Sequence, residues 1–536
     1  MKFVKSTLAV SLALGLAAAW AVGPVAAQTP KAGGTLTFVV PAEPPSFDGH
    51  RETTFALIHP IAPFYSVLIR VNPENPSSPT DFVCDLCTEM PAAMNDGKQY
   101  TFNIRKGVKW HDGSALTAHD IVRTYEKIIF PGEGVASARK GFYVMVDKVS
   151  APDDHTVVFD LKYPSGAFIP ALANPYNFVY AKKIIDEDPH WYEKNVMGSG
   201  PFKFASREAG AVIKGTRNPD YYHEGKPYLD GFAAIFAKKQ TLRVQAVRGD
   251  RAAIEFRGFP PKSRDDLVKA LGDDITVQES DWNCALFMTP NHNRKPFDDV
   301  RVRRALTLAI DRWGGSKYLS QIAIVKAVGG IVFPGHPLAA TKEELEQLAG
   351  YWPDIEKSRA EARRLLKEAG VPNLKFTFHN RGVDQPYKIV GTWMIDQWRQ
   401  VGIQADQWVQ PTGPFYANLR KKKDFDVTMD FNCQAVVNPL LDVVKFVSDD
   451  ISGNQYAGFT DREMDKMFDA MNRSADPAEQ RRIMRAFEKR ALDEEALQFV
   501  TLWWYRIIPH RSYVKGWKIS PSHYLNQDLS YVWLDK

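Results

Sequence analysis

Segments with strand-like alternation and segments with helical periodicity follow one another along this chain, with no short-period repeat. Such a succession selects α/β architectures, in which sheets are covered by helices, over all-β or all-helical ones. Strands are predicted at 35–40, 100–104, 156–161, 202–205, 211–215, 231–236, 252–256 and 499–508. Helices are predicted from Thr117 to about 129 and over 299–310, 355–369, 386–401, 463–472 and 477–492. Thr117 with Asp120 three residues on has the form of a capping box. Gly370 and Gly402 each stand just past the last periodic residue of a helix. Proline-rich stretches at 41–47 and 72–80 read as loops, the second as a domain edge. Beyond residue 283 the longer amphipathic helices dominate.

At 536 residues the chain exceeds one ordinary domain, and a hydrophobic content of 44% supplies a large core. The formal charge is only +5, from 68 basic and 63 acidic residues, and no Lys/Arg-rich tract stands out. Nucleic acid is therefore not an expected partner. Lys2 and Lys5 precede an apolar run over 8–22 that ends at Val25-Ala26-Ala27. These are the three regions of a secretory signal peptide, 1–27, and no cysteine lies at the cleavage point to carry a lipid. The expected product is an exported, soluble, periplasmic monomer.

Four cysteines, Cys84, Cys87, Cys284 and Cys433, are an even number in an exported chain, which favours disulfides. Cys84-Asp85-Leu86-Cys87 has the spacing of a redox motif or half a zinc knuckle. No second CxxC or HxxxH exists to complete a zinc site, so a small local disulfide is the expectation. A bridge between Cys284 and Cys433 would close a long loop.

Signals for catalysis are sparse. No phosphate-binding glycine loop, HExxH or EF-hand loop occurs, so neither a metal nor a cofactor is expected. His111-Asp112 and His119-Asp120 fall at a turn and a first helical turn, where structural roles are expected. Gly198-Ser199-Gly200-Pro201 has Met197 where a nucleophile elbow needs its first glycine, and reads instead as a tight inter-domain crossing.

Four stretches, in this order, resemble the solute-binding proteins of ABC importers that serve peptides and nickel, extracellular family 5. They are the run from Tyr100 through Trp110-His111-Asp112-Gly113 to Leu116-Thr117-Ala118-His119-Asp120, then Gly198-Ser199-Gly200-Pro201-Phe202, Arg217-Asn218-Pro219-Asp220-Tyr221-Tyr222, and Lys295-Pro296-Phe297-Asp298-Asp299-Val300-Arg301 continuing to Asp311-Arg312. The resemblance implies a two-lobed α/β periplasmic-binding-protein fold (type II, cluster C), with an extra α/β domain inserted in the first lobe. Lobe one would comprise 28–62, 198–282 and 500–536, the inserted domain 63–197, and lobe two 283–499. It also implies a non-enzymatic receptor that closes on a short peptide or small solute and hands it to permease subunits in the inner membrane. A secreted hydrolase and a chaperone-like binder are the readings from other classes.

Carried over residue by residue, the resemblance pairs Cys284 with Cys433. Peptide-binding members place an aspartate two residues past the second cysteine to hold the ligand amine, and this chain has Ala435 there. That departure favours a non-peptide solute such as an opine, modified amino acid, glycoside or metal chelate. Asn432 and Gln434, beside Cys433, are expected to face the ligand, and Arg381 to hold its carboxylate. Arg257 and Glu255 flank Phe256 and either face the cleft or form an ion pair. Phe47, Asp48, Trp282 and Trp504 are candidates for cleft walls.

Overall fold

A computed structural model describes residues 29–536; the leader read over 1–27 lies outside the described residues. The first sheet has four strands, in which Thr35–Val40 runs parallel to Gly231–Phe236. Val212–Arg217 and then Phe202–Glu208 continue it with antiparallel pairing. A second four-stranded sheet is antiparallel throughout: Ala93–Met94, Gln99–Asn103, Thr156–Leu161 and Val146–Asp153. Helix Ala118–Ile129 packs on it and opens with the Thr117–Asp120 capping box. The third sheet has six strands in the order Val325–Ala327, Phe499–Arg511, Ile275–Pro290, Val427–Cys433, Lys375–Arg381, Gln404–Gln410. Pairing is antiparallel as far as Val427–Cys433 and parallel across the last three.

Two glycines set the join between the first and second sheets. A Cβ on Gly198 would lie 2.0 Å from the Phe64 carbonyl oxygen, and one on Gly200 would lie 2.4 Å from the Tyr65 amide. The backbones can meet there only without side chains. His111 is anchored to the same crossing, its Nε2 lying 3.1 Å from the Gly200 carbonyl, and Asp120 caps its helix. Both histidine–aspartate pairs are thus structural: His119 faces only the exposed Asp154.

Five of the six strands in the large sheet are absent from the sequence expectation, and two of them share one physical reason. Ile275–Pro290 alternates over its first half but is buried on both faces from Trp282 onward, and Val427–Cys433 is buried almost throughout. Strands covered on both sides lose the alternation by which a half-exposed strand is recognised. The chain passes through 282–283 without leaving this strand. Conversely, 252–256 is not a strand. It forms one bridge, Ile254 to Phe38, before the chain turns at Gly258, whose φ is +110°. The helix expected from 386 begins at Ile389, after a turn in which Gln385 is not helical. No helix among the described residues is long and apolar enough to cross a membrane.

Both cysteine pairs are joined, Cys84 to Cys87 and Cys284 to Cys433, and the second links residues directly opposite one another in antiparallel strands. The separations are 3 and 149 residues. Chain entropy gives the long bridge about 5 kcal/mol of stabilisation and the short one about 2 kcal/mol. Urea unfolding of Cys284→Ser/Cys433→Ser is therefore expected to show a much larger fall in midpoint than Cys84→Ser/Cys87→Ser; equal falls would contradict this account.

Burial holds three histidines neutral: His50, His59 and His292 are each pushed from the ordinary 6.5 down to about 3. The unfolded chain then takes up protons between pH 6.5 and 3 that the folded chain does not, so stability falls as pH drops through that window. Asp48 acts in the same direction lower down. Despite its burial, Lys127 and His50 hold it at about 2, so its contribution is lost as pH falls from about 4 towards 2. Each histidine costs about 2 kcal/mol at pH 5 relative to neutral pH. His292→Gln is expected to flatten the fall in urea midpoint between pH 7 and 5, and an unchanged slope would refute the assignment.

Candidate functional site

The site begins at a helix end. Thr54 caps helix Phe55–Ile61, its hydroxyl accepting from the Ala56 amide at 3.2 Å, and this fixes the buried Phe55 ring at the first turn. Two arginines bracket that ring. Arg257, just before the Gly258 turn, and Arg381, the last residue of strand Lys375–Arg381, each hold their guanidinium carbon 4.6 Å from its centroid. Both are fully buried.

From these two residues a series of alternating guanidinium and aromatic groups extends in both directions. Arg381 lies 5.2 Å from the Tyr416 ring, and Arg420 4.8 Å from the same ring. On the other side Arg257 lies 5.2 Å from Trp504 and 5.8 Å from Trp282, behind which Arg506 lies 5.6 Å from Trp282. Tyr387 touches both central arginines, at 5.7 Å from Arg257 and 5.6 Å from Arg381. All these separations are within the reach of cation–π attraction.

The hydrogen bonds differ along the series. Arg381 gives Nε to the Thr412 hydroxyl at 3.0 Å, Nη2 to the Thr54 hydroxyl at 2.8 Å and Nη1 to the Tyr416 hydroxyl at 3.4 Å. Arg420 grips both oxygens of the fully buried Glu52 at 2.9 Å. Arg506 donates to the carbonyls of Phe256 at 2.6 Å and Ser520 at 2.7 Å. Arg257 gives Nη1 to the Gln385 carbonyl, while its Nε and Nη2 are without partners among the described residues, as is Trp504 Nε1. Burial, reinforced by the neighbouring Arg381, pushes Arg257 down to about 10, and burial pushes Arg506 down to about 9.

Two of the acids near the series are already paired with other cations, and a third, Asp442, is not. Glu255 accepts from Arg243 at 3.0 Å, so its ion pair is with Arg243 and not with Arg257. Asp430 is paired with Lys445. Asp442 follows the Asn438 cap into helix Pro439–Asp442, and burial pushes its carboxyl well above the usual range.

Asn432 and Gln434 flank the disulfide at the end of the neighbouring strand. With Thr53, Arg139, Tyr176 and Tyr524 they line a cavity of about 20 Å³. Their amides are engaged within the chain: Asn432 Nδ2 donates to the Asp442 carbonyl at 2.8 Å, and Gln434 Nε2 to the Leu441 carbonyl at 3.0 Å. Ala435 is buried beside them. Cys284, Cys433 and His523 lie close enough to share a metal ion, but the two sulfurs are bonded to each other. His523 Nδ1 instead accepts the Trp282 indole N–H at 2.9 Å, and burial holds it neutral.

Arg257, Arg381, Trp282 and Trp504 therefore meet in one cluster, with Asn432 and Gln434 on the adjoining strand. Phe47 and Asp48 are engaged elsewhere: Phe47 lies under Arg207, and Asp48 accepts from Lys127 at 2.6 Å and Tyr180 at 3.2 Å. Sequence reasoning missed Thr54, Phe55, Tyr387, Tyr416, Arg420 and Glu52. An arginine within an apolar stretch, as Arg506 is in Leu502-Trp503-Trp504-Tyr505-Arg506-Ile507-Ile508, was the one available signal of this kind.

Comparison with known proteins places this geometry. Residues 81–450 match the family described as bacterial extracellular solute-binding proteins, family 5 Middle. Di/tripeptide-binding protein 2 of Pseudomonas aeruginosa is 29% identical over 63% of this chain, and the matched stretch spans 64% of that relative. The solved structure of the periplasmic binding protein AgaA from A. tumefaciens, in complex with agropinic acid, superposes with a TM-score of 0.82 at 22% identity, over 94% of this chain and 99% of its own. Oligopeptide-binding AppA of Bacillus subtilis, in complex with a nonapeptide, gives 0.81 at 20% identity, over 95% and 100%. The fold is the two-lobed α/β class expected from the sequence. With its sheets, its motifs and the family match in agreement, the chain belongs to the bacterial extracellular solute-binding proteins of family 5.

Proposed function

We propose that this protein is the periplasmic receptor of an ABC importer, a binding protein and not an enzyme. It captures a peptide or peptide-like solute between two lobes and delivers it to permease subunits in the inner membrane. In this reading lobe one is 28–62, 198–282 and 500–536, with 63–197 inserted, and lobe two is 283–499. The observation that carries the proposal is the set of buried contacts between these parts. Arg381 reaches Thr54, Arg420 reaches Glu52, and Arg257 reaches the Gln385 carbonyl. Contacts that exist only when the lobes meet favour the closed state, and a ligand touching both lobes adds to them.

A non-peptide solute is the second reading, supported by Ala435 in place of an acid and by the agropinic acid bound to AgaA. Native mass spectrometry of freshly purified protein tests both. A retained peptide mass supports the first reading, and another organic mass the second. Turnover of peptide or ester substrates, abolished by one Ser or His substitution, would overturn the receptor role.

Closure itself yields a further expectation. Arg420→Ala leaves the buried Glu52 with only the Ser46 hydroxyl at 3.0 Å and Arg51 at 3.5 Å, at a cost to the closed form of up to about 3–5 kcal/mol. Glu52→Gln/Arg420→Gln, which removes both charges, is expected to cost less. Calorimetry of the retained solute should therefore rank affinities as wild type, double variant, then Arg420→Ala. A double variant weaker than the single would refute the closing role of this pair.

A further inference from the structure

Arg257 differs from the other arginines of the cluster in which of its edges is free. Arg381 has all three of its nitrogens bonded to hydroxyls, and Arg420 already grips a carboxylate. In Arg257 only Nη1 is used, on a main-chain carbonyl. The unpartnered atoms are Nε and Nη2, which lie on the same side of the planar guanidinium and form the fork that binds two oxygens at once. The indole N–H of Trp504, also unpartnered, belongs to a ring 5.2 Å from the same guanidinium.

A buried donor left without a partner is costly. Arg506 Nε and Arg420 Nη2 are single orphaned atoms on otherwise bonded guanidinium groups, whereas Arg257 alone in the cluster leaves both atoms of one fork unpartnered, beside the Trp504 N–H. Arginine cannot remove that cost by losing its proton. Among the described residues no acid bonds to either Arg257 or Arg381, and Glu255, Asp430 and Glu52 are held by Arg243, Lys445 and Arg420. The cluster therefore holds Arg257, Arg381 and Arg506 without a carboxylate bonded to any of them among the described residues.

Resting on the receptor reading above, we infer that the solute is an organic acid whose carboxylate is held by the Nε–Nη2 edge of Arg257 together with the Trp504 indole N–H. On this assignment Arg381 is a strut that joins the lobes through Thr54 and Thr412, and the anion lies on the lobe-one side of Phe55. The net charge of the cluster selects solutes of net negative charge, such as N-acylated amino acids, N-acylated peptides and dicarboxylates, over free-amine peptides of zero net charge.

The test is a thermal-shift and tryptophan-fluorescence screen of the intact exported protein. The panel contains free dipeptides, N-acetyl dipeptides, N-acyl amino acids and dicarboxylates, each beside its carboxamide, with phosphate monoesters as a separate arm. The expected result is stabilisation by acids, at least tenfold weaker apparent affinity for the matching carboxamide, and at least a hundredfold loss for the best acid in Arg257→Gln. Trp504→Phe keeps the ring and removes only the N–H, and is expected to lower affinity three- to tenfold. Its effect remains readable if Arg257→Gln fails to fold.

Equal binding of acids and carboxamides overturns the inference while leaving the receptor reading standing. So does preference for free-amine peptides or phosphate esters, or undiminished acid binding in both variants. Stabilisation by nothing in any arm overturns both.

Discussion

Permanent positive charge in a dry interior is the condition around which this molecule is arranged. A guanidinium stays protonated at any pH the protein meets, so burial is met by arrangement and not by neutralisation. The arrangement here is an alternation of rings and cations, running from Arg420 through Tyr416, Arg381, Phe55 and Arg257 to the Trp504–Trp282 pair and Arg506. Each ring face contributes about 0.5–2 kcal/mol depending on its desolvation. Carbonyls, hydroxyls and one carboxylate supply most of the hydrogen bonds. The segments that provide these groups are far apart in the chain, and Thr54 and Arg381 are separated by 327 positions. Satisfying the arginines therefore requires the whole tertiary structure to be in place.

The large sheet makes that placement reproducible. Its longest strands, Ile275–Pro290 and Phe499–Arg511, pair along nearly their full length and present Trp282, Trp504 and Arg506 to one region. At their edge the covalent link between Cys284 and Cys433 holds the register at the point where the chain departs towards Gln434 and Ala435. His523, caught between the disulfide and the Trp282 indole, ties the C-terminal segment to the same point.

How much of this was readable from the sequence depends on what each element faces. Thr156–Leu161 and Gly231–Phe236 were placed residue for residue: the first alternates between a packed and a wetter face, and turn residues bound both. Helices Ile355–Glu368 and Arg462–Arg473 carry a single apolar stripe and strong caps, and they too were legible. Lys375–Arg381 and Val427–Cys433 were not, because buried polar residues such as His379, Asn380, Asp430 and Asn432 interrupt the apolar run that would mark a core strand. In the cluster, Arg381 was named through family resemblance, and Arg257 through its position beside an aromatic strand-like run. Phe55, Tyr416 and Arg420 have no local signature. Arg420, in Leu419-Arg420-Lys421-Lys422-Lys423, reads as solvated basic helix until tertiary contact with Glu52 buries it. Sequence pattern reports burial and period, whereas charge pairing across hundreds of residues leaves no local trace.

The spacing of the two disulfides bears on how the four cysteines find their partners. Loops of a few residues close far more readily than loops of well over a hundred. Cys84 and Cys87 also precede the other pair in the chain. Once they are joined, Cys284 and Cys433 have only each other as oxidation partners, since no other cysteine exists. The short bridge, worth less to the finished protein than the long one, thus removes two thiols that could otherwise mispair with Cys284 or Cys433.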